Sequence, residues 1–579
     1  MSALNGGDRV AEVLTNYGVR FLFTLCGGHI SPILVGAKKR GIRVIDVRHE
    51  VTTVFAADAV ARLTGVPGVA AVTAGPGLTN TITAVKNAQM AQSPVVILGG
   101  ATATLLKGRG SLQDIDQFAL MRPHVKAVLC CKTVKSLASA VDEAMRTSLE
   151  GVPGPVFVEC PVDLLYGQEM VRQWYGDATP RGTSITARAQ RRYIQFHLDR
   201  VFKGADTAAP TPQVPAVGEV PAEGVKEAAA LLRKAERPVV LVGSGAMLEP
   251  GAADALAAAV EQLGVPVYLT GMARGLLGTS SALQLRHNRK KTLKEADLVI
   301  VAGNPFDFRL DYGRQISSKA TLIAANRSPE DLRKNRKPDL ALSGDPARFL
   351  RALAAVAGTP NPTWQGWIAG RREADAQRDA EIAVQAQAEA AEFVNPLTLC
   401  KAMEGAFATP SVLVADGGDF VATASYIVRP RGPLSWLDPG VFGTLGVGAG
   451  FALGAKLVRP DAEVWVIWGD GSFGYSLSEY DTFARHGIPI IGVIGTDASW
   501  MQIAREQIEV LHDSVGTDLA RTAYHEAVAG LGGVGFEIRS TDQIEGVLAQ
   551  AKAAAAAGRP VVINAQIGRT DFRKGSISM

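Results

Sequence analysis

The sequence predicts an α/β chain of three doubly wound parallel sheets, one after another. Its 579 residues exceed what one core can organise, since a domain takes roughly 150 residues. Short Val/Ile-rich runs alternate with amphipathic helical stretches, the pattern that winds parallel sheets with helices on both faces. Hydrophobic residues make up 47% and charged residues 20%, which is globular composition.

The first block covers residues 1–175. Its strands are expected at 21–23, 44–47, 69–72 and 95–98, and it closes with Gly154-Pro155-Val156-Phe157-Val158-Glu159-Cys160-Pro161, an apolar run set off by prolines. Residues 176–223 are expected to be a linker, Pro/Ala-rich and flexible from about 204 onward. The second block, 224–355, has strands expected at 238–242 and 298–301. An Ala/Glu/Arg-rich helical connector, 356–392, leads into the third block, 393–579. There the expected strands are 411–415, 464–468, 490–494 and 561–564. Ligands of such sheets sit beyond the carboxyl ends of the strands, so residues just after each strand are read first.

Composition removes several classes. Lys plus Arg number 60 against 56 Asp plus Glu, a net charge of +4. The positive residues do not cluster, so no nucleic-acid footprint is expected. Arg289-Lys290-Lys291 reads as a solvated helix end. Five cysteines, including the adjacent pair Cys130-Cys131, fit neither a disulfide framework nor zinc spacing and are expected to be reduced core residues. The N-terminus lacks a basic start followed by an apolar run, and no stretch of about 18 apolar residues occurs. A cytoplasmic protein without a membrane span is expected.

The run at 464–468 feeds directly into Gly469-Asp470-Gly471-Ser472-Phe473-Gly474. The letters match a dinucleotide-binding glycine loop. However, an aspartate between the first glycines would repel a pyrophosphate unless a cation intervened. Magnesium resolves the conflict, because it takes one or two carboxylates plus phosphate oxygens. A second ligand should then come from the end of the next strand, where Gly495-Thr496-Asp497-Ala498-Ser499 supplies Asp497 and the carbonyl of Ser499. This two-part pattern resembles the thiamine diphosphate motif. The competing reading is that Asp470 only caps the next helix, which leaves Asp497 unexplained. The motif's second position is usually Asn; aspartate here adds charge beside a diphosphate and makes metal binding more pH-sensitive.

Thiamine chemistry also needs a proton on the aminopyrimidine ring, which a carboxylate in a dry pocket can share. Glu50 in Arg48-His49-Glu50-Val51 is the candidate, placed at the start of a helix after the run at 44–47. An ordinary first-turn glutamate is the plainer reading. The next strand ends in Thr73-Ala74-Gly75-Pro76-Gly77-Leu78-Thr79-Asn80, a tight glycine turn that lets a flat ring approach the backbone.

These motifs, with Gly443-Thr444-Leu445-Gly446, resemble the acetolactate synthase and 2-hydroxyacyl-CoA lyase superfamily along the whole chain. The resemblance implies a pyrimidine-binding domain, a central Rossmann-like domain and a diphosphate-binding domain. It implies thiamine diphosphate with Mg²⁺, ADP or FAD as a possible central-domain ligand, and a homodimer as the minimum, expected as a homotetramer. It assigns catalysis to Glu50, His29 and Gln113, and the metal to Asp470, Asp497 and Ser499. Thr73, Pro76, Gly77 and Asn80 match the pyrimidine pocket. Asp419, Phe420 and Thr444 match cofactor-binding positions, as do Gly471, Ser472, Trp500 and Met501. Leu445 matches the apolar wedge that bends the cofactor.

Phe23-Thr24-Leu25-Cys26-Gly27-Gly28-His29, Gly271-Met272-Ala273-Arg274-Gly275 and Gly568-Arg569-Thr570-Asp571-Phe572-Arg573 are most similar to the lyase branch. That branch implies cleavage of a 2-hydroxyacyl-CoA into formyl-CoA and an aldehyde one carbon shorter, or the reverse acyloin condensation. Acetolactate synthase, with Arg274 as a carboxylate-binding cation, is the alternative in the same class. An NAD- or FAD-dependent oxidoreductase using Val242-Gly243-Ser244-Gly245, and a non-catalytic scaffold, are alternatives of other classes.

Overall fold

The computed structural model describes residues 5–177, 184–388 and 392–574. It contains three six-stranded sheets in which every pairing is parallel. The first sheet comprises β1 (Phe21–Leu25), β2 (Arg43–Asp46), β3 (Gly68–Val72), β4 (Val95–Ala101), β5 (Ala127–Cys130) and β6 (Val156–Pro161). The second comprises β7 (Pro238–Val242), β8 (Val267–Leu269), β9 (Gln284–Leu285), β10 (Leu298–Ala302), β11 (Thr321–Asn326) and β12 (Leu340–Ser343). The third comprises β13 (Ser411–Ala415), β14 (Trp436–Leu437), β15 (Glu463–Gly469), β16 (Ile491–Thr496), β17 (Val534–Ile538) and β18 (Val561–Gln566).

The predicted class therefore holds. Parallel strands covered by helices on both faces are apolar throughout, and β3, β4, β6 and β13 are buried at every position. Each sheet has its own core, for example Leu22, Val69, Val96 and Val158 in the first and Leu413, Trp465, Val493 and Ile563 in the third.

The chain divides into two compact units, residues 1–61 with 66–216 and residues 62–65 with 217–579. The first unit holds the first sheet and the second unit holds the other two. The first sheet runs β2-β1-β3-β4-β6-β5 and the third β14-β13-β15-β16-β18-β17. Both follow one winding order, in which the chain reverses direction beside its first strand. The central sheet, β12-β11-β10-β7-β8-β9, has the order typical of dinucleotide-binding folds.

Several expectations need correction. The stretch 176–223 is not all linker, because Ile185–Phe202 is an 18-residue helix. Its Leu198 and Val201 are buried against the first unit. A polar knot ties it down: buried Asp163 accepts hydrogen bonds from the Thr104 hydroxyl (2.6 Å) and the Tyr175 hydroxyl (2.9 Å), and Thr104 Oγ1 meets His197 Nε2 at 3.0 Å. The helix escapes notice in the sequence because only Ala187, Leu198 and Val201 of it are buried.

Residues 178–183 of that expected linker, 389–391 of the connector and 575–579 of the last block lie outside the described residues. The connector itself forms one helix, Trp364–Gln387. Cys131, Cys160 and Cys400 are buried, but Cys26 and Cys130 are exposed; all five are free. Arg289 is not solvated either, since its guanidinium donates to the Arg309 carbonyl at 2.6 Å. Among the described residues no helix is long and apolar enough to cross a membrane.

Candidate active site in two halves

In a doubly wound sheet the strand order reverses at one crevice, and ligands bind at its carboxyl edge. For the first and third sheets that crevice lies between β1 and β3 and between β13 and β15. The predicted site residues gather at these two places.

In the first unit, β1 ends at Leu25 and continues into Cys26-Gly27-Gly28-His29. A Cβ on Gly27 would stand 2.4 Å from the Thr73 Cβ, so the loops after β1 and β3 touch only because residue 27 has no side chain. His29 Nδ1 then meets Thr73 Oγ1 at 3.1 Å. Burial lowers the His29 pKa below its usual value, which keeps the ring neutral and able to take a proton.

Glu50 opens the helix Glu50–Thr64 and is 8% exposed. Its Oε2 accepts a hydrogen bond from Asn80 Nδ2 at 2.9 Å. A Cβ on Gly77 would lie 2.8 Å from Thr73 Cγ2 and 3.7 Å from Glu50 Oε1. Glu50, Thr73, Gly77 and Asn80 therefore form one pocket, with exposed Pro76 at its rim. Gly75 adopts φ +61°, and a Cβ there would come within 2.8 Å of the Gln113 carbonyl oxygen. The loop carrying Gln113 thus rests on this turn, and Lys107 anchors its base to the Glu159 carboxylate at 2.7 Å.

In the second unit, β15 delivers Asp470, which is 2% exposed. Its Oδ1 accepts from the Gly471 N–H at 2.8 Å and its Oδ2 from the Ala498 N–H at 2.7 Å. One carboxylate thereby joins the loops after β15 and β16. Asp470 is the first residue of the short helix Asp470–Phe473, whose N-cap is Gly469 without a side-chain capping bond, so capping does not describe what its carboxylate does.

Burial raises the Asp470 pKa to about 6. Asp497 goes up to about 8, from burial first and then from the charges of Asp470 and Asp419. A buried carboxylate beside a half-buried one whose ionisation it opposes is the donor set a dication relieves. Ala498 takes the left-handed conformation (φ +59°) and turns the chain to Ser499, whose N–H donates to Asp497 Oδ1 at 3.2 Å. Among the described residues no group of three or more His, Cys, Asp or Glu side chains can hold a metal. Two carboxylates, the Ser499 carbonyl and diphosphate oxygens would make up such a set here.

Around this pair, Ser472 Oγ donates to the Gly469 carbonyl at 3.1 Å. Trp500 lies against Gly471, where a Cβ would be 2.4 Å from its ring. Met501 opens the helix Met501–Leu511. Thr444 Oγ1 donates to the Leu445 carbonyl at 3.1 Å, and Leu445 presses on Gly417, where a Cβ would be 2.3 Å from its Cδ2.

Two expected cofactor residues are otherwise engaged. The Asp419 carboxylate is held by both terminal nitrogens of Arg505, each at 2.7 Å, with Arg573 Nε at 3.6 Å. The Phe420 ring is 2% exposed and packs over Gly495 in the core. Arg505, Arg573 and the buried Asp416 are what the sequence reading missed; the rule of reading residues just past a strand would have reached Asp416, which follows β13. In the central domain, the Gly245 N–H donates to the Gly303 carbonyl at 2.9 Å, and a Cβ at Gly243 or Gly245 would strike Gly303. Loop-on-loop packing alone accounts for those glycines.

One pocket suits an aminopyrimidine beside a carboxylate, and the other suits a diphosphate on a cation. Together they define a thiamine-dependent enzyme. The chain matches the thiamine pyrophosphate enzyme N-terminal TPP binding domain over residues 4–120, the central domain over 225–353 and the C-terminal TPP binding domain over 416–565. It belongs to that family. Along its full length it is 50% identical to human 2-hydroxyacyl-CoA lyase 2, covering 92% of that protein. It is also 50% identical to Caenorhabditis elegans 2-hydroxyacyl-CoA lyase 2, with 100% of this chain and 92% of the relative aligned. A Mycobacterium tuberculosis protein named acetolactate synthase large subunit IlvG is 34% identical over 97% of this chain and 95% of its own length.

Proposed function

We propose that this chain is a thiamine-diphosphate-dependent 2-hydroxyacyl-CoA lyase. It cleaves a 2-hydroxyacyl-CoA into formyl-CoA and an aldehyde one carbon shorter, or joins the two in reverse. The observation that carries this reading is 50% identity over the whole chain to proteins named 2-hydroxyacyl-CoA lyase 2, with Glu50, Asn80, Gly77, Asp470 and Asp497 all present.

Thiamine diphosphate, when bound, supplies the carbon nucleophile and the electron sink for this carbon–carbon chemistry. The protein's own residues do the rest. Glu50, held by Asn80, shares the aminopyrimidine proton. Neutral His29, steadied by Thr73, takes the proton of the substrate hydroxyl, and Gln113 faces the substrate. Asp470, Asp497 and the Ser499 carbonyl hold Mg²⁺, and Leu445 props the cofactor. The working form is a homodimer or homotetramer in the cytoplasm. A central-domain ADP or FAD gains no support from Gly243 and Gly245, whose lack of side chains packing already explains.

An acetolactate synthase would need a free cation for the keto-acid carboxylate. Arg274 is spent elsewhere: it donates to the Ser425 carbonyl at 2.7 Å and stacks 5.0 Å from the Trp436 ring centre. The test is incubation of the purified protein with thiamine diphosphate, Mg²⁺ and a 2-hydroxyacyl-CoA, followed by assay for aldehyde and formyl-CoA. Both products are expected. Acetolactate from pyruvate without aldehyde from the acyl-CoA would overturn the proposal.

A further inference from the structure

Asp416 stands at the carboxyl end of β13, is 3% exposed and has no part in the site as drawn so far. Three N–H groups converge on its carboxylate. The Gly446 N–H donates to Oδ1 at 2.9 Å, the Gly448 N–H to Oδ2 at 2.7 Å and the Trp468 indole to Oδ2 at 3.1 Å. Its own backbone N–H is tied to the Ile467 carbonyl of β15 at 3.1 Å, so the acceptor is fixed to the centre of the third sheet.

The two backbone donors flank Val447 and follow Leu445 directly. Leu445 in turn leans on Gly417, the residue next to Asp416. One dipeptide of β13's exit thus holds the Leu445 loop from below, through the Asp416 side chain, and receives the Leu445 side chain, through the bare Cα of Gly417. The loop also packs closely where its glycines lack side chains: Gly446 has φ +86°, and a Cβ on Gly448 would fall 2.3 Å from the Trp468 nitrogen.

The identity of the acceptor matters. Among the described residues, the side-chain hydrogen bonds of residue 416 come from three donors and no acceptor. A carboxylate satisfies all of them, because it only accepts; an amide would turn its NH₂ toward at least one N–H. Hydrogen bonds to a charged acceptor are worth about 1.5–3 kcal/mol each, against about 0.5–1.5 for neutral ones.

We propose that Asp416 is a positioning residue for thiamine diphosphate: it fixes Leu445 against Gly417 through Gly446 and Gly448, and the loop keeps its cofactor-holding form only while that carboxylate accepts all three N–H groups. Burial raises the Asp416 pKa to about 7, opposed by those three hydrogen bonds. The groups that face it are the Gly446 and Gly448 N–H of the loop and helix and the Trp468 indole of β15. None of them ionises. Protonation near neutrality therefore turns one accepting oxygen into a donor aimed at N–H groups and loosens the loop.

The proposal rests on the reading of Leu445 as the cofactor's prop, which Leu445→Ala tests separately. If that variant binds and uses the cofactor as the wild type does, the prop reading fails whatever Asp416 does. For Asp416 itself, hydrogen–deuterium exchange of the cofactor-free protein is followed in peptides spanning residues 444–448 and 464–468. In Asp416→Asn, exchange at 444–448 should rise while 464–468 stays protected. The dissociation constant for thiamine diphosphate with Mg²⁺, read from tryptophan fluorescence, should rise about tenfold or more.

In the wild type, protection at 444–448, corrected for intrinsic rates, should fall as pH drops from about 8 to about 6, and Asp416→Asn should abolish that dependence. Unchanged protection, or faster exchange with unchanged cofactor affinity, would overturn the proposal. Should Asp416→Asn not fold, the wild-type titration decides alone, and protection that ignores pH refutes it.

Discussion

Replacing Glu50 by Gln separates chemistry from folding. The side chain keeps its length, and its remaining oxygen can still accept from Asn80, which now lies 2.9 Å from Oε2. What is lost is the charge. A charge-assisted hydrogen bond becomes a neutral one, a difference of about 1 kcal/mol. A carboxylate at the first turn of the helix Glu50–Thr64 also contributes about 0.3–1 kcal/mol through the helix dipole. Burying a neutral group in place of a charged one, at 8% exposure, offsets part of both.

The net cost to stability is therefore about 1 kcal/mol, and the unfolding transition of the first unit should move by only a few degrees. Catalysis should respond on another scale. Removing a general acid–base partner typically costs about 10²–10⁴-fold in rate, equivalent to about 3–5 kcal/mol of barrier. The assay is aldehyde release from 2-hydroxyacyl-CoA at saturating thiamine diphosphate and Mg²⁺, run beside differential scanning calorimetry. A variant that retains more than about a tenth of the wild-type rate would refute the role given to Glu50. So would one that loses activity only in step with its fold.

Three further outcomes are expected. Gly471→Ala places a methyl group 2.4 Å from the Trp500 ring; it should cost about 1–3 kcal/mol by overpacking and lower cofactor affinity, read by isothermal titration calorimetry. Arg505→Ala leaves Asp419 with only Arg573 at 3.6 Å. As both side chains are partly exposed, the loss should be about 1–3 kcal/mol rather than the full price of a buried pair, seen as faster proteolysis after residue 568. His29 has a lowered pKa, so the folded state binds that proton less readily than the unfolded chain does. Its share of stability is whole above pH about 6.5 and declines as pH falls below that. The acid limb of kcat/KM should lie below the same value, and His29→Asn should remove it.

How much of this was legible in the sequence follows from where apolar residues and acceptors sit. Inner strands such as β4 and β15 read plainly, because burial on both faces leaves an unbroken Val/Ile/Trp run. The edge strands β5 and β17 did not: Ala127–Cys130 and Val534–Ile538 are only partly buried, so composition barely marks them. Asp470 and Glu50 were legible because their chemistry is local, one residue past a strand or at the start of a helix. The ion pair of Asp419 was not legible, since its arginine lies 86 positions away. The packing of Phe420 was hidden as well, because Gly495, whose missing side chain makes room for its ring, belongs to another strand. The role of Asp416 likewise depends on donors 30 and 32 positions further on, a convergence that no local pattern announces.

The shared winding order of the first and third sheets bears on ancestry. Each sheet's opening strand ends in a Gly-Gly pair, Gly27-Gly28 after β1 and Gly417-Gly418 after β13. At both stations the bare backbone lets that exit meet the exit of the third strand, Thr73 in one case and Gly469 in the other. The flanking residues have parted company: Cys26 and His29 frame the first pair, Asp416 and Asp419 the second. Such a repeat is what a doubled ancestral unit leaves behind once its copies specialise. One copy carries an acid on either side of its turn, Asp416 bonded to the Gly446 and Gly448 N–H groups and Asp419 paired with Arg505. Its sibling has no carboxylate at that station, and the candidate catalytic acid, Glu50, opens a neighbouring helix.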